Sequence, residues 1–124
     1  MFDKSPEMQE KIRKLAIKLV KHYRGKGPEY VIIKIEDELI TITIKGILSN
    51  LSEILVEEGD ADKVKDYWKI LKPYLENQYA EEIYETIGRN FEYTWQINNL
   101  ESANRTIVIF LNLIVYGSIE KKDV

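Results

Sequence analysis

Apolar and polar positions alternate along this chain with two distinct periods, and the changes of period mark out its elements. Met8, Ile12, Leu15, Ala16, Leu19, Val20 and Tyr23 recur at helical spacing. Ser5 precedes them as an N-cap, with Pro6 at the first helical position, and Gly25 follows as a left-handed stop. The stretch from Tyr30 to Ile35 is apolar and β-branched. After the polar turn Glu36-Asp37-Glu38, Ile40, Ile42 and Ile44 alternate with Thr41, Thr43 and Lys45. That is a hairpin with one face buried, closed by Gly46.

Asn50, with Glu53 three residues on, has the form of a capping box and predicts a short helix stopping near Gly59. Asp60 or Asp62 then caps the longest helix, which runs to about Ile87 and ends at Gly88. Pro73 lies inside it, where a lost backbone bond predicts a kink. Its main apolar stripe is Val64, Trp68, Leu71, Leu75, Tyr79, Ile83 and Ile87. A second stripe, Tyr67, Ile70, Tyr74 and Tyr84, is displaced around the helix and calls for another partner surface. Phe91, Tyr93, Trp95 and Ile97 alternate with polar residues as a third strand. Ile107 to Leu111 is apolar at every position, as in a strand that is central or covered on both sides. The order α-ββ-αα-ββ predicts a single α+β domain over residues 1–124, with helices packed on one face of a four-stranded, mainly antiparallel sheet.

Composition narrows the class. The 124 residues are 44% hydrophobic and 31% charged, the balance of a folded domain rather than a disordered chain. Cysteine is absent, so thiolate chemistry and disulfides are too. The N-terminus shows no signal-peptide pattern, and the longest apolar run is too short to span a bilayer. The expectation is a cytoplasmic protein without a transmembrane segment. Net charge is −3, but residues 1–27 carry eight Lys/Arg against three Asp/Glu and the remainder ten against eighteen. An acidic chain of this kind is a poor nucleic-acid binder.

Candidate chemistry is sparse. His22 is the lone histidine, near a helix end where a cation suits the dipole, with no second ligand or orienting group beside it. Gly25-Lys26-Gly27-Pro28 is no phosphate loop, since it follows a helix C-terminus and opens no helix. Turn chemistry accounts for its glycines. Arg24 and Lys26 can still hold a small anion such as sulfate, phosphate or bicarbonate by charge, which makes a stand-alone regulatory module that binds an anion at this turn the alternative function. Lys11, Lys14, Lys18 and Lys21 form a basic face that suits solvent or an anionic surface. Glu57, Glu58, Asp60 and Asp62 lack the ligand order of a calcium loop and read as surface charge. We therefore expect no catalytic residues, no metal and no cofactor, and no enzyme.

Four stretches of the chain stand out together: Tyr23-Arg24-Gly25-Lys26-Gly27-Pro28, Ile40-Thr41-Ile42-Thr43-Ile44-Lys45-Gly46-Ile47-Leu48-Ser49, Leu71-Lys72-Pro73-Tyr74-Leu75, and Ile83-Tyr84-Glu85-Thr86-Ile87-Gly88 before the last hairpin. In these the chain resembles the small bacterial MpsC domains, the soluble component of a sodium-translocating, membrane-potential-generating system. These pieces occur in the same order over nearly the whole chain. Where the family has Leu-Thr-Pro after the strand glycine, this chain has Leu48-Ser49-Asn50. The resemblance implies an accessory protein acting with a membrane ion or bicarbonate uptake system. The second stripe of the long helix adds the expectation of a twofold homodimer through Tyr67, Ile70, Tyr74 and Tyr84.

Overall fold

The computed structural model describes residues 4–114. Helix α1 spans Pro6–Arg24, and Ser5 caps it by accepting a bond from the Met8 N–H at 3.1 Å. Gly25 ends it at φ 84°, its N–H closing onto the Lys21 carbonyl. Strands β1 (Tyr30–Glu36) and β2 (Leu39–Lys45) form the first hairpin, with Asp37 in the left-handed region at the turn. Helix α2 (Asn50–Glu57) and helix α3 (Ala61–Ile87) follow, then β3 (Phe91–Asn98) and β4 (Thr106–Leu113). Helical structure continues through Pro73 without a break.

One predicted cap is displaced. Ser49, not Asn50, caps α2, its hydroxyl accepting from the Ser52 N–H at 3.2 Å. Asn50 is the first helical residue and Glu53 does not fold back on the cap; it turns instead to Arg24. Asp60 occupies the cap position of α3 without a side-chain capping bond, and its carboxylate pairs with Lys63 at 3.1 Å.

The four strands form one antiparallel sheet in the order β1-β2-β4-β3. The strand that is apolar at successive positions, β4, is central. Register places Val31, Ile44, Ile107 and Ile97 in one row, and Ile33, Ile42, Ile109 and Trp95 in another. Both rows lie on the face the helices cover. Ile12, Ala16, Leu19 and Val20 of α1 and Val64, Trp68, Leu75, Tyr79 and Ile83 of α3 complete this core, all buried. Tyr79 is buried, sits edge-on to Trp95 at 6.1 Å, and donates its hydroxyl to the Ile12 carbonyl at 3.4 Å. The opposite rows, such as Ile32, Thr43, Val108 and Gln96, form a sheet face on which no described helix packs.

Candidate functional site

The glycine-rich turn after α1 is built inward. Tyr23 and Arg24 are the last residues of the helix, and they bond to consecutive carbonyls of the segment after β2. The Tyr23 hydroxyl donates to the Ile47 oxygen at 2.7 Å, while its ring meets Trp68 edge-on at 5.5 Å. Arg24 donates from Nε to the Leu48 oxygen, from Nη1 to the Gly27 oxygen at 2.7 Å and from Nη2 to Glu53 Oε1 at 3.0 Å. Its side chain is only 7% exposed. Lys26, on the exposed side of the same turn, donates to Asn50 Oδ1 at 2.8 Å.

The structure thus brings the two predicted anion-binding cations to one turn and supplies each with an acceptor from the chain itself. Arg24 borders a cleft of about 240 Å³ whose charged walls are Glu29, Glu53 and Glu57 against Arg24 and Arg105. Three carboxylates facing two guanidinium groups make this a poor cradle for an anion. The turn works as a clamp joining α1, the end of the first hairpin and α2.

The other polar candidates remain dispersed. His22 stands exposed on the last turn of α1. Lys11, Lys14, Lys18 and Lys21 are all exposed, and Lys18 reaches across to Glu82 of α3 at 3.5 Å. Glu58 and Asp62 are exposed, and Glu57 lies at the rim of the Arg24 cleft. Among the described residues no group of three or more His, Asp or Glu side chains is placed to hold a metal ion.

The outer face of α3 is where unusual surface accumulates. Tyr67 is 48% exposed, Ile70 79%, Tyr74 60% and Tyr84 49%. The first three lie on adjacent turns. Tyr84 is separate: it lines a cleft of about 390 Å³ with Glu81, Glu85, Phe91 and Tyr93 at the far end of the helix. Two neighbours escaped the reading of the sequence. Leu51 and Ile54 of α2 are also more than half exposed, and Leu51 shares a groove with Tyr67 between the two helices. Alternation in α2 could have flagged them, but an eight-residue helix has too few turns to separate its faces. Ile32 and Tyr30 are likewise exposed on the uncovered face of the sheet.

The family model of the Na+-translocating membrane potential-generating system (MpsC) matches residues 4–113, from the residue before the α1 cap to the end of β4. The chain belongs to the MpsC family. No curated protein and no solved structure matches it. Membership associates this MpsC chain with a membrane transport system, while none of its described helices is long and apolar enough to cross a membrane. The clamp at Tyr23 and Arg24 and the exposed face of α3 both lie within the matched span.

Proposed function

We propose that this MpsC chain is a non-catalytic accessory component of a membrane system that translocates sodium or bicarbonate, acting through contact with other proteins. The family match over residues 4–113 carries this reading. The distribution of side chains supports it. Arg24 and Glu53 at the cleft are engaged in holding the fold, whereas Ile70, Tyr74, Tyr67 and Leu51 place apolar surface in solvent. Contact surfaces in soluble proteins have this composition, with tyrosine offering a wide ring and a hydroxyl that stays wet. In this role the chain works as a pair of copies joined through the outer face of α3.

The test uses membrane vesicles from cells lacking the chain, with a voltage-sensitive dye reporting the potential set up by a sodium gradient. Purified protein added back to the cytoplasmic side is expected to restore the sodium-dependent signal. A signal indifferent to the added protein overturns the accessory role. So does steady turnover of a phosphate ester or acyl substrate by the isolated chain.

A further inference from the structure

Seven of the twelve exposed positions of α3 fall on one seam, and that seam holds all of the helix's exposed large apolar residues. Lys63, Tyr67, Ile70, Tyr74, Asn77, Glu81 and Tyr84 are spaced alternately four and three residues apart, and every one of them is exposed. A seam with a 3.5-residue mean period on the outside of a helix already packed on its inner side is the pattern of a helix–helix interface. Charge along the same helix is segregated. Residues 61–72 carry four lysines against two aspartates, and residues 73–87 carry four glutamates and no basic residue. Such a helix opposes a parallel copy of itself and complements an antiparallel one.

We infer that two copies of this chain pair antiparallel along α3, with the twofold axis passing beside Lys72. Only pairings in which two residue numbers have a constant sum obey that symmetry. With the axis there, seam meets seam throughout: Ile70 faces Tyr74 of the second copy, Tyr67 faces Asn77, and Lys63 faces Glu81. The centre is apolar, the next layer offers a tyrosine hydroxyl to an amide, and each end closes with an ion pair. Among the described residues Lys63 pairs with the neighbouring Asp60 at 3.1 Å, both side chains well exposed, and such surface pairs exchange partners at little cost. Leu51, sharing the groove beside Tyr67, widens the apolar strip at both ends. Tyr84 lies beyond the last pair and belongs to the cleft with Phe91 and Tyr93.

This deepens the pairing proposed above and rests on it. The seam between Lys63 and Glu81 is about 27 Å long, and one helix pair of that length buries on the order of 1,000 Å². That is the low end for a specific interface, so association is sought at micromolar concentrations.

Sedimentation equilibrium on the isolated chain from about 1 to 100 µM tests the inference. The wild type is expected to show a monomer–dimer equilibrium that Ile70→Glu abolishes and Tyr84→Glu leaves within about threefold. Lys63→Glu alone and Glu81→Lys alone each place like charges at both ends and are expected to weaken the dimer about tenfold or more. Mixing those two single variants creates opposite charges at both ends, as does combining them in one chain. Both preparations are expected to recover the wild-type constant within a few-fold. A monomer at 100 µM overturns the pairing and leaves the seam to a helix of another protein. A dimer indifferent to the charge changes keeps self-association but overturns this register. Neither result bears on the vesicle assay, which tests the accessory role by itself.

Discussion

Arg24 and Glu53, 29 positions apart in sequence, meet at 3.0 Å, and the guanidinium that makes this pair also holds the carbonyls of Gly27 and Leu48. Three partners on three segments converge on a side chain that is nearly sealed from water. Arg24→Ala would leave all three acceptors without their donor. We expect it to cost about 2–4 kcal/mol, lowering Tm by roughly 8–15 °C in a chain of this length. Lys26→Ala removes one exposed hydrogen bond to Asn50 and is expected to change stability by less than about 0.5 kcal/mol. Thermal unfolding followed by the fluorescence of Trp68 and Trp95, both buried, measures each. Sulfate or bicarbonate titration decides the competing role. A wild type stabilised in saturable fashion by the anion, and an Arg24→Ala variant that stays folded but loses the effect, would make the turn an anion site rather than a clamp.

The chain leaving β2 turns so sharply that Gly46 has φ 82° and touches the backbone entering β1. A Cβ there would stand 2.5 Å from the Glu29 nitrogen. That nitrogen is committed to the Lys45 carbonyl at 2.8 Å, so it cannot move aside without breaking the first rung of the hairpin. Gly25 has almost the same φ, yet nothing lies within 4 Å of its added Cβ. Gly25→Ala is therefore expected to cost only the left-handed conformation, about 1 kcal/mol, and Gly46→Ala at least about 2 kcal/mol more. Urea unfolding of the two variants side by side checks the difference. Equal losses would mean that the backbone at Gly46 relaxes freely.

Two overlapping patterns compete for the start of α2, and their substitutions separate them. Ser49 accepts the Ser52 N–H, while Asn50 bonds Lys26 from the first helical position. Ser49→Ala is expected to cost about 1 kcal/mol through the lost cap, and Asn50→Ala a few tenths. A reversed order in chemical denaturation would return the capping role to Asn50.

What could be read in advance divides along physical lines. The strands were legible because Ile40, Ile42 and Ile44 alternate with polar residues over a full strand, and the central place of β4 because Val108 and Phe110 keep its second face apolar. Ser5, Pro6 and Gly25 marked both ends of α1 by backbone chemistry that depends on no distant residue. The outer stripe of α3 emerged from spacing alone, as Tyr67, Ile70 and Tyr74 are indeed exposed. The inward turn of Arg24 was hidden. A basic residue at a helix end suits the dipole equally well in solvent, and its three acceptors come from segments that only the fold brings near. Glu53 pairs with the same distant arginine rather than closing the expected capping box, because the cap is Ser49 and Glu53 then lies one residue beyond the position a box requires. Local pattern predicted where elements begin; long-range pairing decided what their polar residues do.

Tyr79, buried, and Tyr23, partly buried, give the fold a predictable alkaline limit. Burial raises the pKa of Tyr79 and of Tyr23 well above the ordinary phenol value, because neither site can solvate a phenolate. Arg24, beside Tyr23, opposes its shift and is outweighed. Both groups keep their protons in the folded state after the unfolded chain has begun to lose them near pH 10. The unfolded state then binds fewer protons than the native one, so stability is fully present below about pH 10 and falls as pH rises beyond it. Each tyrosine contributes a loss of up to about 1.4 kcal/mol per pH unit in that range. Replacing either by phenylalanine removes its share of this slope. Tyr79→Phe gives up a long hydrogen bond of 3.4 Å to the Ile12 carbonyl and is expected to cost no more than about 1 kcal/mol at pH 7. Tyr23→Phe forfeits a shorter bond of 2.7 Å to the Ile47 carbonyl, and its pH 7 cost is expected to be the larger of the two. Urea midpoints measured from pH 7 to 11 should therefore show both variants starting below the wild type and closing on it above pH 10. Curves that stay parallel across that range would mean that the two hydroxyls reach solvent and ionise in the folded protein.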